Sequence, residues 1–221
     1  MEITFISDTH TQHRYLTDDL VGGDLIVHSG DISSMGKPRE IRSFLEWFET
    51  LPYTYKIFIA GNHDWGFQNN RKEILSMVEE FDVIYLQDEF VEIDSVKIYG
   101  TPWQPEFYNW AFNLPRGEII NKVWSLIPND IDVLITHGPP FGHLDNASKD
   151  NCKLGCEGLL NRIEVVKPKI HAFGHIHGGY GYKEFKGIHL INAASLDEAY
   201  DYTNKPLTID WDPKTNYFKF I

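Results

Sequence analysis

The chain has 221 residues, 42% hydrophobic, 14% aromatic and 24% charged, which suits a single globular domain over 1–221 and excludes disordered or collagen-like sequence. Its 20 Lys and Arg stand against 32 Asp and Glu, a formal net charge of −12, and so acidic a surface argues against extended nucleic-acid binding. No apolar run approaches the roughly 20 residues that cross a bilayer, no signal segment follows Met1, and two cysteines make no disulfide framework; a soluble, cytoplasmic protein is expected.

Apolar strand-like runs alternate with amphipathic helix-like runs. The first strand, EITFIS at 2–7, stops at Asp8 and His10, and the second, DLIVHS at 24–29, stops at Gly30 and Asp31. A helix over about 38–50 leads to KIFIA at 56–60, which ends in Gly61, Asn62, His63 and Asp64. A helix over about 70–80 precedes strands at 82–86, 89–93 and 96–100. After a helix over about 117–127, DVLITH at 132–137 ends on His137. A helix over about 155–166 is followed by KIHAFG at 169–174, which runs into His175 and His177, and strands at 188–193, 206–211 and 217–221 complete the chain. Runs apolar at every position suit sheets covered on both faces. Hairpins at 89–100 and 206–221 add antiparallel pairs, so the class is α/β with mixed sheets.

Five of these strands end in the same way: an apolar run, a Gly, Ser or Thr, then a carboxylate, amide or imidazole. Open α/β sheets place their ligands at such carboxyl ends. His175 and His177, two apart on extended chain, share a face and aim at one region. Two ionised carboxylates about 4 Å apart repel by about 4 kcal/mol at an effective dielectric near 20. Asp8 and Asp31 at neighbouring strand ends therefore call for cations between them. Two divalent ions would also make the site locally positive on an acidic protein. Mixed carboxylate, imidazole and amide donors suit manganese, iron, nickel or zinc better than calcium or magnesium.

In this order, the blocks DTH, GD, GNHD, TH and GHIH resemble the calcineurin-like metallophosphoesterase superfamily. The longer strings DTHTQH, LPYTYKIFIAGNHD, KIYGTPWQPEF, WAFNLPRG, DVLITHGPPFGHLD and KPKIHAFGHIHGGYG are similar to its metallophosphoesterase domain-containing (239AB-type) branch, from about residue 3 to 195. The resemblance implies a four-layer αββα sandwich, α/β or α+β, with two mixed β-sheets flanked by helices. It implies a dinuclear centre in which Asp8, His10, Asp31 and His177 hold one divalent ion. Asp31, Asn62, His137 and His175 would hold the other, with Asp31 bridging and manganese the first expectation. A metal-bridging hydroxide would attack phosphorus in line. His63 would face the leaving oxygen as general acid or charge stabiliser, with Asp64 orienting its ring. The plainer reading of that pair is a strand-end turn capped by a carboxylate.

The related Ser/Thr protein phosphatases carry an arginine after the second block to clamp a dianionic phosphate. Here GDISSMGKP holds Ser33, Ser34 and Lys37, and Trp65 follows GNHD. That difference favours phosphodiester hydrolysis, on cyclic nucleotides or other small diesters. Asn62, His63 and His143 are the candidate substrate contacts, although His143 on its Pro/Gly loop also reads as a solvated histidine. Trp65, Trp103, Phe107 and Tyr180 either stack on a base or close a core. His13, His28, His171 and His189 read as structural.

Three rivals stand beside this reading. One is a metal- or nucleotide-binding scaffold with little activity, and another is a phosphomonoesterase or nuclease of the same superfamily. The third is cysteine chemistry, because Cys156 and Arg162 have the spacing of a phosphate loop; Gly155 precedes that cysteine and CEGLLNRIEVV reads as a helix, which counts against it.

Overall fold

The computed structural model describes residues 1–147 and 152–221. Six strands form the first sheet: β1 (Glu2–Ile6), β2 (Gly23–His28), β3 (Tyr53–Phe58), β4 (Ile84–Tyr85), β13 (Leu207–Asp212) and β14 (Tyr217–Phe220). Their order is β14-β13-β1-β2-β3-β4. The four strands from β1 to β4 run parallel, and the last two add antiparallel at one edge. The second sheet contains β5 (Glu89–Ile93), β6 (Val96–Thr101), β9 (Val133–Thr136), β10 (Ile170–Phe173), β11 (Gly181–Phe185) and β12 (Ile188–Asn192). Its order is β11-β12-β10-β9-β6-β5, with a parallel centre and antiparallel edges. A short parallel pair, β7 (Gln104–Pro105) and β8 (Asn113–Leu114), brackets a loop that returns over the strand ends.

Residue alternation explains why the central strands are apolar throughout. Ile3, Phe5, Leu25, Val27, Val133, Ile135, Ile170 and Ala172 point into the layer between the sheets. Their neighbours Ile6, Ile26, Leu134 and Phe173 point outward, and helices cover them. On the first sheet lie α1 (Pro38–Glu49), α2 (Trp65–Asn69) and α3 (Arg71–Val78); on the second lie α4 (Glu118–Trp124) and α5 (Glu157–Val166). The result is four layers, helix, sheet, sheet, helix. Proline at the first turn starts α1, and its Ile41, Phe44, Leu45 and Phe48 are fully buried. Each such burial is worth roughly 1.5–3 kcal/mol.

Several boundaries differ from the sequence expectation. The helix expected over 70–80 is α3, Arg71–Val78, and an unexpected short helix, Trp65–Asn69, precedes it, parted from it by Asn70 at φ −121°. The strand expected at 82–86 shrinks to Ile84–Tyr85. Helix α5 starts at Glu157, since Cys156 is extended and bridges Pro140. Strand Gly181–Phe185 carries no apolar pattern: its middle residues are exposed and polar, and pairing with β12 makes it a strand. Cys156 is buried under the indole N–H of Trp124, while Arg162 donates to the Ile127 carbonyl and to Asn129. The two do not form a phosphate loop.

Candidate metal centre

All the central parallel strands point their carboxyl ends at one cleft, where the two sheets meet. From β1 come Asp8 and His10, from β2 comes Asp31, and after β3 come Asn62 and His63. The second sheet supplies His137 beyond β9 and His175 and His177 beyond β10. Asp8, His10, Asp31 and His175 turn at these tips through left-handed backbone, with φ between 41° and 66°, a conformation Asp and His tolerate better than most residues. Close approach also explains the glycines before them. A Cβ on Gly174 would lie 2.0 Å from Asp8 Oδ2, and one on Gly61 would lie 2.3 Å from Asp31 Oδ1.

Ligand-capable atoms gather in three overlapping groups, each with all its atoms within 4.8 Å of one another: Asp8, His10 and His177; Asp31, His137 and His175; and His10, Asp31 and His63. Asp31 joins them, with Oδ2 3.7 Å from His10 Nε2 and 3.4 Å from His137 Nε2. Asp8 Oδ1 lies 3.6 Å from His177 Nε2, and the His175 backbone N–H donates to both Asp8 oxygens.

The outer nitrogens orient the rings. His137 Nδ1 sits 3.0 Å from the Ser29 carbonyl and His177 Nδ1 sits 2.8 Å from the Asp197 carbonyl. A carbonyl can only accept, so Nδ1 carries the proton and a neutral ring turns its Nε2 lone pair inward. At His137 that lone pair would meet Asn62 Oδ1 at 2.9 Å and Asp31 Oδ2 at 3.4 Å. Three acceptors converging on one point require a proton or a cation between them. Without a cation the ring takes the proton: burial opposes it, but the charge of Asp31 prevails and holds His137 up at about 9. At His177 burial again opposes, and the neighbouring Asp8 carboxylate raises it to about 9. Burial would raise the two carboxyls, yet the neighbouring histidines hold both Asp8 and Asp31 well below the usual range. Burial pushes His10 down to about 4 and His175 to about 3, and His10 Nε2 is buried without a hydrogen-bond partner. This donor set fits divalent cations.

The residues expected around phosphate divide. His63 lies beside the cluster, its Nδ1 2.8 Å from the Ser34 carbonyl, its face stacked on Trp110 at 4.1 Å and its ring edge-on to His10 at 4.6 Å. Asp64 does not orient it. That carboxylate is fully buried and accepts the backbone N–H groups of Ile32, Ser33 and Gly61 and the Ser33 hydroxyl. Burial, then the charge of Asp31, pushes it up to about 6. Asp64 is the carboxylate that ties two strand-end turns together, the plainer of its two sequence readings. His143 is 8% exposed and packs on Phe185 at 4.1 Å, away from the cavities beside the cluster; the expected rim position is not where it lies. Trp65 and Trp103 pack against the outer core, whereas Phe107 stands edge-on to His175 and Tyr180 lines a cavity beside His177.

Trp110 and Tyr200 carry no role in the sequence reading, and Ser34 enters it only as a residue standing where related phosphatases carry arginine. Tyr200 packs on His10 at 5.0 Å and His177 at 5.1 Å. Trp110 falls inside the WAFNLPRG string, but stacking between residues so far apart in the chain leaves no local pattern.

Comparison with known proteins completes the site's description. The family model described as calcineurin-like phosphoesterase matches residues 1–179. Metallophosphoesterase domain-containing protein 1 of Homo sapiens is 40% identical over 229 aligned positions, which cover 93% of this chain and 69% of that protein. Among solved structures, TT1561 of Thermus thermophilus superposes with a TM-score of 0.63 at 15% identity, covering 100% of this chain and 97% of the other. The structure of a novel archaeal phosphodiesterase does so with a TM-score of 0.51 at 19% identity, covering 100% and 99%.

Proposed function

The chain belongs to the calcineurin-like phosphoesterase family, and from that premise we propose that it hydrolyses small phosphodiesters at a two-ion centre. Membership carries the coarser statement, a metal-dependent hydrolase of phosphoesters. The observation that carries the finer one is Asp31, whose single oxygen Oδ2 reaches toward imidazoles of both halves of the cluster. One ion is assigned to Asp8, His10, Asp31 and His177, the other to Asp31, Asn62, His137 and His175. When bound, divalent ions, manganese first and iron, nickel or zinc next, supply Lewis acidity and an activated water for in-line attack on phosphorus.

The chain's own residues do the rest. His63, gripped through Nδ1 by Ser34 and through its face by Trp110, would act as the imidazolium, keeping Nδ1–H on the Ser34 carbonyl while its Nε2–H passes a proton to the leaving oxygen and the ring returns to neutral. Such a general acid typically contributes 10²–10⁴-fold. Charge favours a diester. Arg116 is the one Lys or Arg on the described linings of the cavities beside His175 and His177, and it is paired with Glu157. Asp197, Glu198 and Glu106 share those linings, so a monoanionic diester meets less repulsion than a dianionic monoester. The archaeal phosphodiesterase among the structural neighbours is in keeping with this choice. The expected substrates are cyclic nucleotides or other small diesters in the cytoplasm; among the described residues no helix is long and apolar enough to cross a membrane.

The test is a chelator-stripped protein reloaded with manganese, iron, nickel or zinc singly, assayed against mono-, di- and cyclic phosphates. Faster turnover of diesters with at least one metal is expected. A consistent preference for monoesters would overturn the diester assignment.

A further inference from the structure

Resting on the diester reading and deepening it, we propose that a slot beside His175 binds the organic arm that stays on phosphorus, and that it selects an apolar arm of one ring's size. The two sides of Asp31 differ. His63 stands on the His10 side, ring to ring at 4.6 Å, while His175 stands on the other side with His137, at 4.9 Å. In-line displacement sends the leaving oxygen toward His63, so the second arm of a diester is left to the His175 side.

A cavity of about 200 Å³ opens there, walled by Pro105, Phe107, Pro139, Leu154 and Ile176 over the bare backbone of Gly138. Sites that hold a whole drug-sized ligand run from about 300 Å³ upward, so this volume suits one ring or a short alkyl chain. Phe107 and Leu154 are 50% and 41% exposed, large apolar side chains left in water beside a polar centre. The guanidinium of Arg116 is committed to the Leu154 and Gly155 carbonyls and to Glu157, so its contribution to the slot is the apolar stem. Glu106, on the same lining, disfavours an anionic arm. The slot thus offers shape and apolar contact, with little to read the polar edge of a base.

Gly138 provides the means of testing it. Its backbone lies outside the left-handed region, and a Cβ there would make ordinary contacts, 3.8 Å to Gln104 and 3.9 Å to His175. Metal-loaded protein is to be assayed on methyl 4-nitrophenyl phosphate and phenyl 4-nitrophenyl phosphate, which share a leaving group and differ in the retained arm. Wild type is expected to favour the phenyl arm in kcat/KM by about tenfold or more, the scale on which even one methylene is discriminated in an apolar pocket. Gly138→Val should abolish the preference and Leu154→Ala should weaken it; the second variant carries the test if the first fails to fold. Calorimetric binding of the product monoesters, phenyl phosphate and methyl phosphate, should show the same ratio. Equal kcat/KM for the two diesters in wild type would overturn the slot while the diester reading stands. No turnover of either diester with any metal would overturn the diester reading, and the calorimetric ratio would still decide the slot. A thymidine arm preferred over phenyl, with that preference lost in Gly138→Val, would place a nucleoside in the slot and overturn apolar selection.

Discussion

His171 and His175 lie four residues apart, yet the fold uses them in opposite ways. His171, in the body of β10, points into the outer core, with Nε2 2.8 Å from the Thr136 hydroxyl. Burial pushes it down to about 3, and among the described residues no carboxylate acts on it. His175, just past the strand's tip, is pushed down to about 3 by burial as well, but it gathers with Asp31 and His137. Residue type is the same in both places and both rings are pushed down to about 3, although His171 is fully buried and His175 only partly. The difference is that backbone turns at the tips, with glycines packed against carboxylates, let strands of two sheets converge, whereas strand bodies pack in layers that are apolar apart from local pairs such as His171 and Thr136. A buried imidazole is therefore weak evidence of a site, and an imidazole sharing space with a buried carboxylate is strong evidence.

The most severe way to break this comparison is to remove the carboxylate that joins the two halves. Asp31→Ala is expected to lower metal-loaded turnover by about 10³-fold or more, for good and poor leaving groups alike, whereas the loss of a general acid weighs on poor leaving groups. His171→Leu, in the strand body, should change turnover less than threefold. A metal-dependent Asp31→Ala enzyme within tenfold of wild type would refute the bridging assignment.

A smaller effect tests the edge of the tip region. His63→Ala should reduce turnover about 10²–10³-fold for diesters with poor leaving groups and far less for a nitrophenolate, with metal content unchanged. Trp110 touches His63 alone among the cluster's imidazoles. Trp110→Ala should reproduce that leaving-group dependence at about tenfold, and Trp110→Phe should restore most of it by keeping a face to stack on. Uniform losses across leaving groups in both alanine variants would make Trp110 a packing residue and remove His63 as the acid.

Much of this geography was legible because it follows period and termination. Apolar runs that end in glycine and then a ligand-type residue mark the carboxyl ends of parallel strands, and that logic brought Asp8, His10, Asp31, Asn62, His137, His175 and His177 into one cleft. That both faces of each sheet are covered was legible from strands apolar throughout, whereas the four-layer order came from the family resemblance. Interactions that join distant segments through backbone atoms were not. Ser34 holds His63 with a carbonyl that every residue possesses, and Asp64 spends its oxygens on N–H groups of Ile32, Ser33 and Gly61. His143 looked like a loop histidine because its Pro and Gly neighbours are local signals, whereas Phe185, which covers it, arrives from a strand that pattern alone did not reveal.

The gentlest test sets the two kinds of histidine against each other in pH. In the strand body, His171 is held neutral with its pKa lowered from 6.5 to about 3. Below pH 6.5 the unfolded chain binds a proton that the folded chain refuses, so stability falls as pH falls, by at most about 1.4 kcal/mol per pH unit for each such group. His13 and His28, lowered by burial to about 4 and about 3, act in the same direction. At the tips of chelated protein the sign reverses. His137 and His177, raised to about 9, contribute stability that is fully present below pH 6.5 and lost as pH rises toward 9. Thermal melts of chelated protein should therefore show an optimum between the two arms, with shifts of a few degrees per kcal/mol. His171→Leu should flatten the acid arm alone. Metal loading should flatten the alkaline arm, because cations then replace the protons between Asp8, Asp31 and their imidazoles. An alkaline decline that survives metal loading unchanged would show that those protons were never standing in for a cation.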